Sequence, residues 1–175
     1  MSSELLIDSS QKGSRIALLK DKSLIELHVE EEDNKFKVGD IYLGVVKKIV
    51  NGLNAAFIDV GYEKDAFLHY QDLGPQVNSL SKLVKLTRNK NHKGFDLKGF
   101  ENEPEIDKLG KISQVLSKNN QVLVQVVKEP ISTKGPRLSC ELSLAGRYLV
   151  LVPFSNTVNV SKKIRSADER KRLSR

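Results

Sequence analysis

Two phenylalanines ten positions apart, Phe57 and Phe67, are the residues of this chain whose type and spacing best suit ligand binding. They lie in one run, residues 52–68, with the turn-forming Gly61 between them. A strand carrying Phe57 and a returning strand carrying Phe67 would place both rings on one face of a small barrel. Exposed aromatic rings on such a face stack on unpaired bases. The spacing therefore favours single-stranded RNA or DNA as the ligand.

Strand alternation favours an outward position for both rings, although an aromatic residue in a strand is more often part of the core. Phe57 alternates with Asp59, whereas the residues between and beside them, at 56, 58 and 60, are all apolar. The apolar set would then point inward and Phe57 outward. Phe67 shares its side of the next strand with Asp65 and His69, which gives the same result with less force. Burial of the pair in the core is the alternative.

Cationic side chains near the rings would hold phosphates. The candidates lie on or beside the predicted strands: Lys47, Lys48, Lys64, Lys128, Lys134 and Arg137. Lys134 is the strongest of them, because the adjacent Gly135 lets backbone approach a ligand closely. His69, beside Phe67, would stack on a base or hydrogen-bond to it. For any single lysine, a solvated surface charge is the competing interpretation.

Composition narrows the class of protein. The 175 residues carry a net charge of +7, which favours polyanionic partners without requiring them. The first 36 residues hold eight acidic and five basic side chains, whereas the last fifteen hold two acidic and seven basic ones. The lone Cys140 excludes an intrachain disulfide and indicates a reducing, cytoplasmic setting. No segment has the length of a membrane span, so no membrane partner is predicted.

The sequence predicts no active site. A metal-dependent nuclease needs converging carboxylates, and the acidic cluster at residues 30–33 lies in a polar connector. No Walker-type phosphate loop, no nucleophile with a nearby histidine and no zinc-ligand spacing is present. Cys140 lies in an apolar strand and is interpreted as packing. We therefore assign no catalytic residue, metal ligand or cofactor to this chain.

The pattern of elements predicts a mainly β protein. Three short apolar runs within residues 5–29 are typical of a three-stranded meander, a sheet too small to be stable unless another element covers it. From Val38 onward, five strand candidates match the count of an OB-type Greek-key barrel. They span residues 41–50, 53–60, 65–70, 121–128 and 137–144.

Further segments interrupt and follow the barrel. A long insertion, about 74–120, separates its third and fourth strands; the basic part at 81–94 is polar enough to be mobile, and a short helix at 112–116 caps the barrel. Residues 147–153 form another apolar strand, which pairs with the meander or packs outside. A basic helix begins near Ser166, with Asp168 and Glu169 in its first turn. The chain ends inside that pattern, which suggests a fragment.

Several stretches resemble the ribonuclease E/G family, most closely its shorter, G-type members. The most specific are residues 133–138, Thr-Lys-Gly-Pro-Arg-Leu, and residues 143–153, Ser-Leu-Ala-Gly-Arg-Tyr-Leu-Val-Leu-Val-Pro. The other matching stretches are residues 4–7, 39–46, 55–61, 66–69 and 124–130. The resemblance covers nearly the whole chain apart from the insertion. Lys64 and Ala66 follow the G-type members, since E-type members tend to have arginine and glycine there.

The resemblance implies an S1-type RNA-binding domain of a bacterial single-strand-specific endoribonuclease that acts in RNA processing and decay. Residues 1–35 would be part of an RNase-H-like subdomain, residues 36–145 the S1-type barrel, and residues 146–175 a strand and basic tail leading to downstream domains. Phe57, Phe67 and Lys134 match the family's RNA-contacting positions.

The family's magnesium-binding aspartates, which carry the catalysis, would lie beyond Arg175, so the chain alone is expected to be inactive. The family's cysteine zinc link at an oligomer interface would also lie beyond Arg175. The expected partners are single-stranded RNA and, for the whole protein, further copies of itself. The competing hypothesis is an independent OB-fold module that binds RNA or a protein and has no nuclease connection.

Overall fold

The computed structural model of the protein describes residues 2–10, 13–31, 36–88, 97 and 99–174. These residues form a three-stranded sheet, a closed five-stranded barrel, and a C-terminal segment with a two-stranded sheet and a short helix. The mainly β fold class predicted from the sequence is confirmed. The predicted region boundaries near residues 35 and 145 stay predictions, and residues 32–35 of the polar connector lie outside the described part.

The N-terminal sheet is an antiparallel meander of β1 (Ser3–Ser10), β2 (Gly13–Lys20) and β3 (Ser23–Glu31). In the central strand, Ala17 lies opposite Leu6 on one side and Leu27 on the other. Both leucines are more than half exposed. Since a small sheet is rarely stable with its apolar residues in water, this exposure agrees with the predicted need for a covering element. The RNase-H-like character of the sheet stays a prediction.

Five strands close the barrel in the order β4, β5, β6, β8, β7 and back to β4. They are β4 (Ile41–Val50), β5 (Ala55–Asp59), β6 (Ala66–His69), β7 (Gln121–Lys128) and β8 (Arg137–Ser139). Neighbouring strands are antiparallel except β6 and β8, which run parallel. This order is that of the predicted OB-type Greek-key barrel.

Three barrel strands are shorter than predicted, and the third, β6, loses one residue at each end. The second begins at Ala55 rather than Leu53, because Asn51–Leu53 forms a 3-10 turn that ends with Asn54 in the left-handed region at a φ of 46°. The fifth ends at Ser139 rather than Leu144, because the N–H of Cys140 donates to the Asp72 carbonyl at 2.8 Å as the chain leaves the barrel.

The barrel core includes fully buried side chains from every strand: Val46, Ile58, Leu68, Val124 and Leu138. The predicted short helix is α2 (Ile112–Val115), and Ile112 belongs to the same core. Asn54 ties this helix to the barrel. Its Oδ1 accepts from the Ile112 N–H at 2.7 Å and its Nδ2 donates to the Gly110 carbonyl at 3.0 Å.

The largest departure from prediction lies in the insertion. Residues 81–88, expected to be mobile, belong to α1 (Val77–Arg88), a regular 12-residue helix. Its apolar residues Val77, Leu80 and Val84 recur at three- and four-residue intervals and are buried. Burial of one helix face thus outweighs the polar composition of the segment. The rest of that stretch, residues 89–94, lies outside the described part.

The C-terminal segment holds two short strands and a helix. The strand predicted at 147–153 is β10 (Val150–Leu151), and it pairs with β9 (Leu144–Ala145) just before it rather than with the meander. The predicted basic helix is α3 (Ala167–Leu173), capped by the Ser166 hydroxyl, which accepts from the Glu169 N–H at 3.3 Å. Within the described residues, no helix combines the length and apolarity that crossing a bilayer requires.

Candidate nucleic-acid interface

One row of side chains crosses the barrel and takes one residue from each of its five strands. Lys48 in β4 lies opposite Phe57 in β5, and Phe57 lies opposite Phe67 in β6. Phe67 pairs with Arg137 in β8, which lies opposite Lys128 in β7. We call these five residues the cross-strand row. It places two aromatic rings side by side with cations at both ends.

The two rings contact each other edge to face and lie outside the core. Their centroids are 5.9 Å apart and their planes form an angle of 70°. Both phenylalanines are half-buried, whereas the sequence neighbours Ile58 and Leu68 are fully buried, as alternation predicts. A cross-strand aromatic pair stabilises a sheet by only about 0.2–1 kcal/mol. Because each ring is only half-buried, its exposed surface is available to a ligand.

A β-bulge in β4 selects which lysine joins the row. Pairing passes from Val46, opposite Ile58, directly to Lys48, opposite Phe57, so Lys47 is an extra residue in the strand. Strict alternation would have pointed Lys48 inward with Val46 and Lys47 outward. The bulge instead turns Lys48 outward, onto the same face as Phe57, while Lys47 stays exposed as well.

A second bulge does the same at the other end of the row. In β7, pairing passes from Val126, opposite Leu138, to Lys128, opposite Arg137, which leaves Val127 as the extra residue. Val127 is 40% exposed, as alternation with the buried Val126 requires, and the bulge turns Lys128 outward as well instead of inward. Both terminal lysines of the row thus owe their direction to bulges.

Lys47 lies outside the row and forms two ion pairs with the protein itself. Its Nζ is 3.0 Å from Asp65 Oδ1 and 3.2 Å from Asp59 Oδ2. Hydrogen bonds to Asp65 and then Asp59 raise the pKa of Lys47, while the N–H of Gly61 and then Lys47 lower the pKa of Asp59. The ion pairs join the two ends of the turn that carries Lys64. The role of Lys47 as an RNA contact stays a prediction.

Replacing Lys47 with methionine should weaken binding of a polyanion even without a direct contact, because it releases two carboxylates beside the row. We expect affinity for single-stranded RNA to fall about three- to tenfold at low salt, and by less at high salt, since exposed charges are screened. Fluorescence anisotropy titrations at two salt concentrations measure this, with Lys162→Met as the control of equal charge loss. A loss that matches the control would show that the carboxylates do not matter.

The row borders an open groove of about 720 Å³. The groove is lined by the row, the β5–β6 turn and the β7–β8 loop, in residues Lys48, Phe57, Lys64, Asp65, Phe67, Lys128, Glu129, Ile131, Thr133, Lys134, Gly135 and Arg137. Seven of the nine residues predicted to contact RNA are thereby brought together: Lys48, Phe57, Lys64, Phe67, Lys128, Lys134 and Arg137.

The β7–β8 loop forms a tight turn at the edge of the groove. Ile131 and Lys134 exchange backbone hydrogen bonds of 3.1 and 2.8 Å, with Ser132 in the left-handed region at a φ of 46°. The turn leaves Ile131 71% exposed beside the rings. Neither Ile131 nor Thr133 was predicted to line the site, because a loop residue without a ring or a charge gives no signal in the sequence.

Gly135 has a packing role in addition to the predicted one. A Cβ at this position would lie 2.3 Å from the carbonyl oxygen of Asp65 and 2.8 Å from that of Lys64. The glycine therefore permits close approach of the β7–β8 loop to the protein's own backbone, and approach of a ligand at this residue stays a prediction. The Phe67 N–H then donates to the Pro136 carbonyl at 2.9 Å. This packing brings Lys64 and Lys134 to the same groove.

Arg137 and His69 are engaged within the protein. Arg137 donates from Nε and Nη2 to Asp72 Oδ2 at 3.1 and 2.9 Å, yet its side chain stays 44% exposed and lines the groove. His69 Nδ1 accepts from the Gln71 N–H at 3.2 Å and caps the 3-10 turn Tyr70–Asp72. His69 does not line the groove. The roles of both residues as RNA contacts stay predictions.

Positive charge is in excess in the groove. Its five cations face two acidic residues, and both of these lie near a lysine: Asp65 pairs with Lys47, and Glu129 Oε2 is 4.0 Å from Lys37 Nζ. In the part of the chain that the structure describes, no carboxylate lies within 4 Å of the ammonium groups of Lys48, Lys64, Lys128 and Lys134. These four charges are available to phosphates.

The described residues do not assemble a metal centre or an activated nucleophile. Within them, no group of three or more His, Cys, Asp or Glu side chains is placed to hold a metal ion. They do not fit the magnesium or zinc that the family resemblance implies. Burial raises the pKa of the Cys140 thiol to about 12, with nearby Asp72 as a smaller cause. The thiol therefore stays protonated and unreactive at neutral pH.

Comparison with known proteins shows similarity along nearly the whole chain. Ribonuclease G of Escherichia coli (strain K12) is 35% identical over 173 residues, which are 99% of this chain and 32% of that protein. Ribonuclease G of Haemophilus influenzae is 36% identical over 170 residues, 97% of this chain and 31% of that protein. Ribonuclease E of Synechocystis sp. is 42% identical over 138 residues, 78% of this chain and 16% of that protein.

A sequence model described as "Ribonuclease E/G family" matches residues 143–175. The chain belongs to the ribonuclease E/G family.

Membership of the ribonuclease E/G family confirms the resemblance found in the sequence. The region matched by the family's sequence model contains β9, β10 and α3, whereas the groove lies in the part aligned with the individual relatives. The chain spans about a third of the length of the ribonuclease G proteins that it matches.

Proposed function

We propose that the barrel binds single-stranded RNA as the S1-type domain of a ribonuclease that acts in RNA processing and decay. The cross-strand row carries this proposal. Stacking of a base on an aromatic side chain contributes about 1–3 kcal/mol, and the two rings offer surface for two bases. The cations at both ends of the row supply contacts for the phosphates on either side of those bases.

The geometry favours a single strand over a duplex. The rings need base faces that are free of stacked neighbours, and a duplex offers only base edges and backbone. The groove is open to solvent and about 720 Å³ in volume, so an unpaired strand has access to the rings. RNA rather than DNA is proposed because the relatives are named as ribonucleases.

Other properties of the whole protein are proposals that rest on the family. We propose that RNA cleavage, the magnesium it requires and assembly of copies through zinc depend on parts of the protein beyond the third that this chain spans. A cytoplasmic location is proposed because bacterial RNA processing takes place there and because the free, buried Cys140 suits a reducing setting. The relationship to ribonucleases favours this account over an independent module with no nuclease connection.

The salt dependence of binding tests the proposal. Each phosphate contact to a single strand contributes about 0.7 to the slope of log K against log salt, so the four available lysines predict a slope of roughly −3. Lys134→Ala should flatten that slope by about 0.7, whereas Lys162→Ala, an exposed cation outside the groove, should leave it unchanged. Anisotropy titrations with a labelled oligoribonucleotide provide the slopes. A slope that Lys134→Ala does not alter would exclude a phosphate contact at this residue.

A further inference from the structure

We propose that a second groove, between α1 and the start of β7, binds the continuation of the same RNA strand beyond Lys48. We call it the α1 groove. It is an open cavity of about 1080 Å³ with residues of α1 on one side and residues 119–122 on the other. The inference rests on the proposed function, since it assigns a second contact region for the same ligand.

The helix presents a polar stripe to this groove. Its apolar residues Val77 and Leu80 are buried and belong to the other face. The polar residues that line the groove recur at intervals of three and four: Asn78, Ser81, Lys82, Lys85 and Arg88. Residues at these intervals lie on one side of a helix. The groove thus meets a row of amide, hydroxyl and cationic groups, beside Val84 and Leu86 of the same helix.

Two of the three cations in this stripe are available to a ligand. Lys82 is held by the protein, because its Nζ lies 2.8 Å from Glu103 Oε1 and 5.2 Å from the centre of the Phe100 ring. Lys85 and Arg88 are exposed, and neither forms an ion pair within the described part of the chain. The helix dipole accounts for cations in the last turn. It does not account for the amide-bearing surface that faces them across the groove.

That opposite surface suits nucleotides. Asn119 and Gln121 line it, and their side-chain amides form no hydrogen bond with other described residues. An amide both donates and accepts, so it matches the edge of an unpaired base. Phosphates held by Lys85 and Arg88 would leave the bases facing these amides. The arrangement differs from the ring pair, because it offers hydrogen bonds rather than stacking.

The backbone connects the α1 groove to the cross-strand row. Val46 in β4 donates its N–H to the Asn120 carbonyl at 2.9 Å and accepts from the Asn119 N–H at 2.8 Å. Lys48, the first residue of the row, follows two residues later, which is about 7 Å along a strand. An RNA strand that leaves the rings at Lys48 therefore reaches the α1 groove next.

The test compares two lengths of RNA on the same variant. Oligouridylates of about 4 and about 14 nucleotides, near the two ends of the range for one OB fold, would cover the rings alone and the rings plus the α1 groove. The variant Lys85→Gln/Arg88→Gln removes both charges and keeps good helix formers. Lys162→Gln/Lys163→Gln removes the same charge from exposed positions outside both grooves.

For the long oligonucleotide, we expect Lys85→Gln/Arg88→Gln to lower affinity at least about fivefold and to flatten the salt slope by about 1.4, for two contacts of about 0.7 each. For the short oligonucleotide, the affinity of Lys85→Gln/Arg88→Gln should differ from that of the parent by less than about twofold. The control variant Lys162→Gln/Lys163→Gln should show a change of less than about twofold for both lengths. An equal loss for both lengths, or no loss for the long one, would overturn the inference and leave the proposed function intact. Absence of binding to either length by the unchanged protein would overturn both.

Chemical footprinting of the unchanged protein gives an answer that does not depend on folding of the variant. The long oligonucleotide should protect Lys85 from acetylation, whereas the short one should protect Lys48 and leave Lys85 reactive. Equal reactivity of Lys85 with and without the long oligonucleotide would contradict the α1 groove.

Discussion

Replacing Phe57 and Phe67 together with alanine should weaken binding of single-stranded RNA by about 2–6 kcal/mol, or roughly 30-fold at least, because two stacked bases lose about 1–3 kcal/mol each. The fold should survive. Both rings lie outside the core, and the cross-strand pair itself contributes only about 0.2–1 kcal/mol. Anisotropy titrations measure the affinity, and circular dichroism with urea unfolding verifies the fold.

The matched control for this pair is Phe100→Ala. Phe100 is also an aromatic residue that packs against another ring, Phe154, at 5.1 Å, but it lies outside the groove. Affinity for the short oligouridylate, which does not reach the α1 groove where the Phe100 ring contacts Lys82, should be unchanged in this variant. If the double variant bound RNA as tightly as the parent, stacking on the two rings would be refuted. If Phe100→Ala lost as much affinity, the effect of the double variant could not be assigned to the groove.

Replacing Gly135 with valine should destabilise the protein by about 3 kcal/mol, the upper end of the usual cost of forcing extra atoms into a packed site. The new Cβ would meet the carbonyl oxygens of Asp65 and Lys64 at 2.3 and 2.8 Å, and backbone atoms cannot move aside as a flexible side chain can. Separation of these segments would also break the hydrogen bond from the Phe67 N–H to the Pro136 carbonyl. Urea unfolding measures the lost stability.

Gly52→Ala is the control for the glycine. No atom lies within 4 Å of a Cβ built at Gly52, so the unfolding midpoint should stay close to that of the parent. RNA affinity should fall in the Gly135 variant, because the loop that carries Lys134 would move from the ring pair. A Gly135→Val protein with unchanged stability would show that the approach of the two segments is not required by the fold.

The barrel could be predicted because β6 alternates cleanly and the apolar runs of the other strands are bounded by turns. In β5, Ile58 is fully buried and its neighbour Phe57 is not, as the pattern required. The strands β4 and β7 begin and end where the apolar runs do. The sequence also contained the signal for α3, since Ser166 precedes two acidic residues and then three basic ones.

Other features depend on contacts that no local pattern records. The bulge at Lys47 turns Lys48 outward while Lys47 also stays exposed, and nothing in the local sequence marks it. The engagement of Lys47 by Asp59 and Asp65 requires the turn between β5 and β6 to close. Polar composition predicts mobility for residues 81–94, eight of which belong to α1, although the apolar residues of that helix recur with helical spacing.

The partner of Gly135 was unpredictable for the same reason. The residues that it approaches, Lys64 and Asp65, are about 70 positions away in the sequence, and the contact exists only because β6 and β8 pair in parallel. The glycine itself indicated a close approach of the backbone, but the sequence did not identify the residues that it approaches. Contacts of this kind are properties of the closed barrel rather than of any segment.

Mapping of RNA contacts by two-dimensional amide NMR tests the central claim most directly. On addition of a short oligouridylate, the largest shifts should occur at Lys48, Phe57, Phe67, Lys128 and Lys134, with β1 to β3 and α3 unaffected. The same titration on Phe57→Ala/Phe67→Ala should show small shifts throughout. Shifts confined to the β9–β10 sheet or α3, with the cross-strand row unchanged, would contradict RNA binding by the barrel groove.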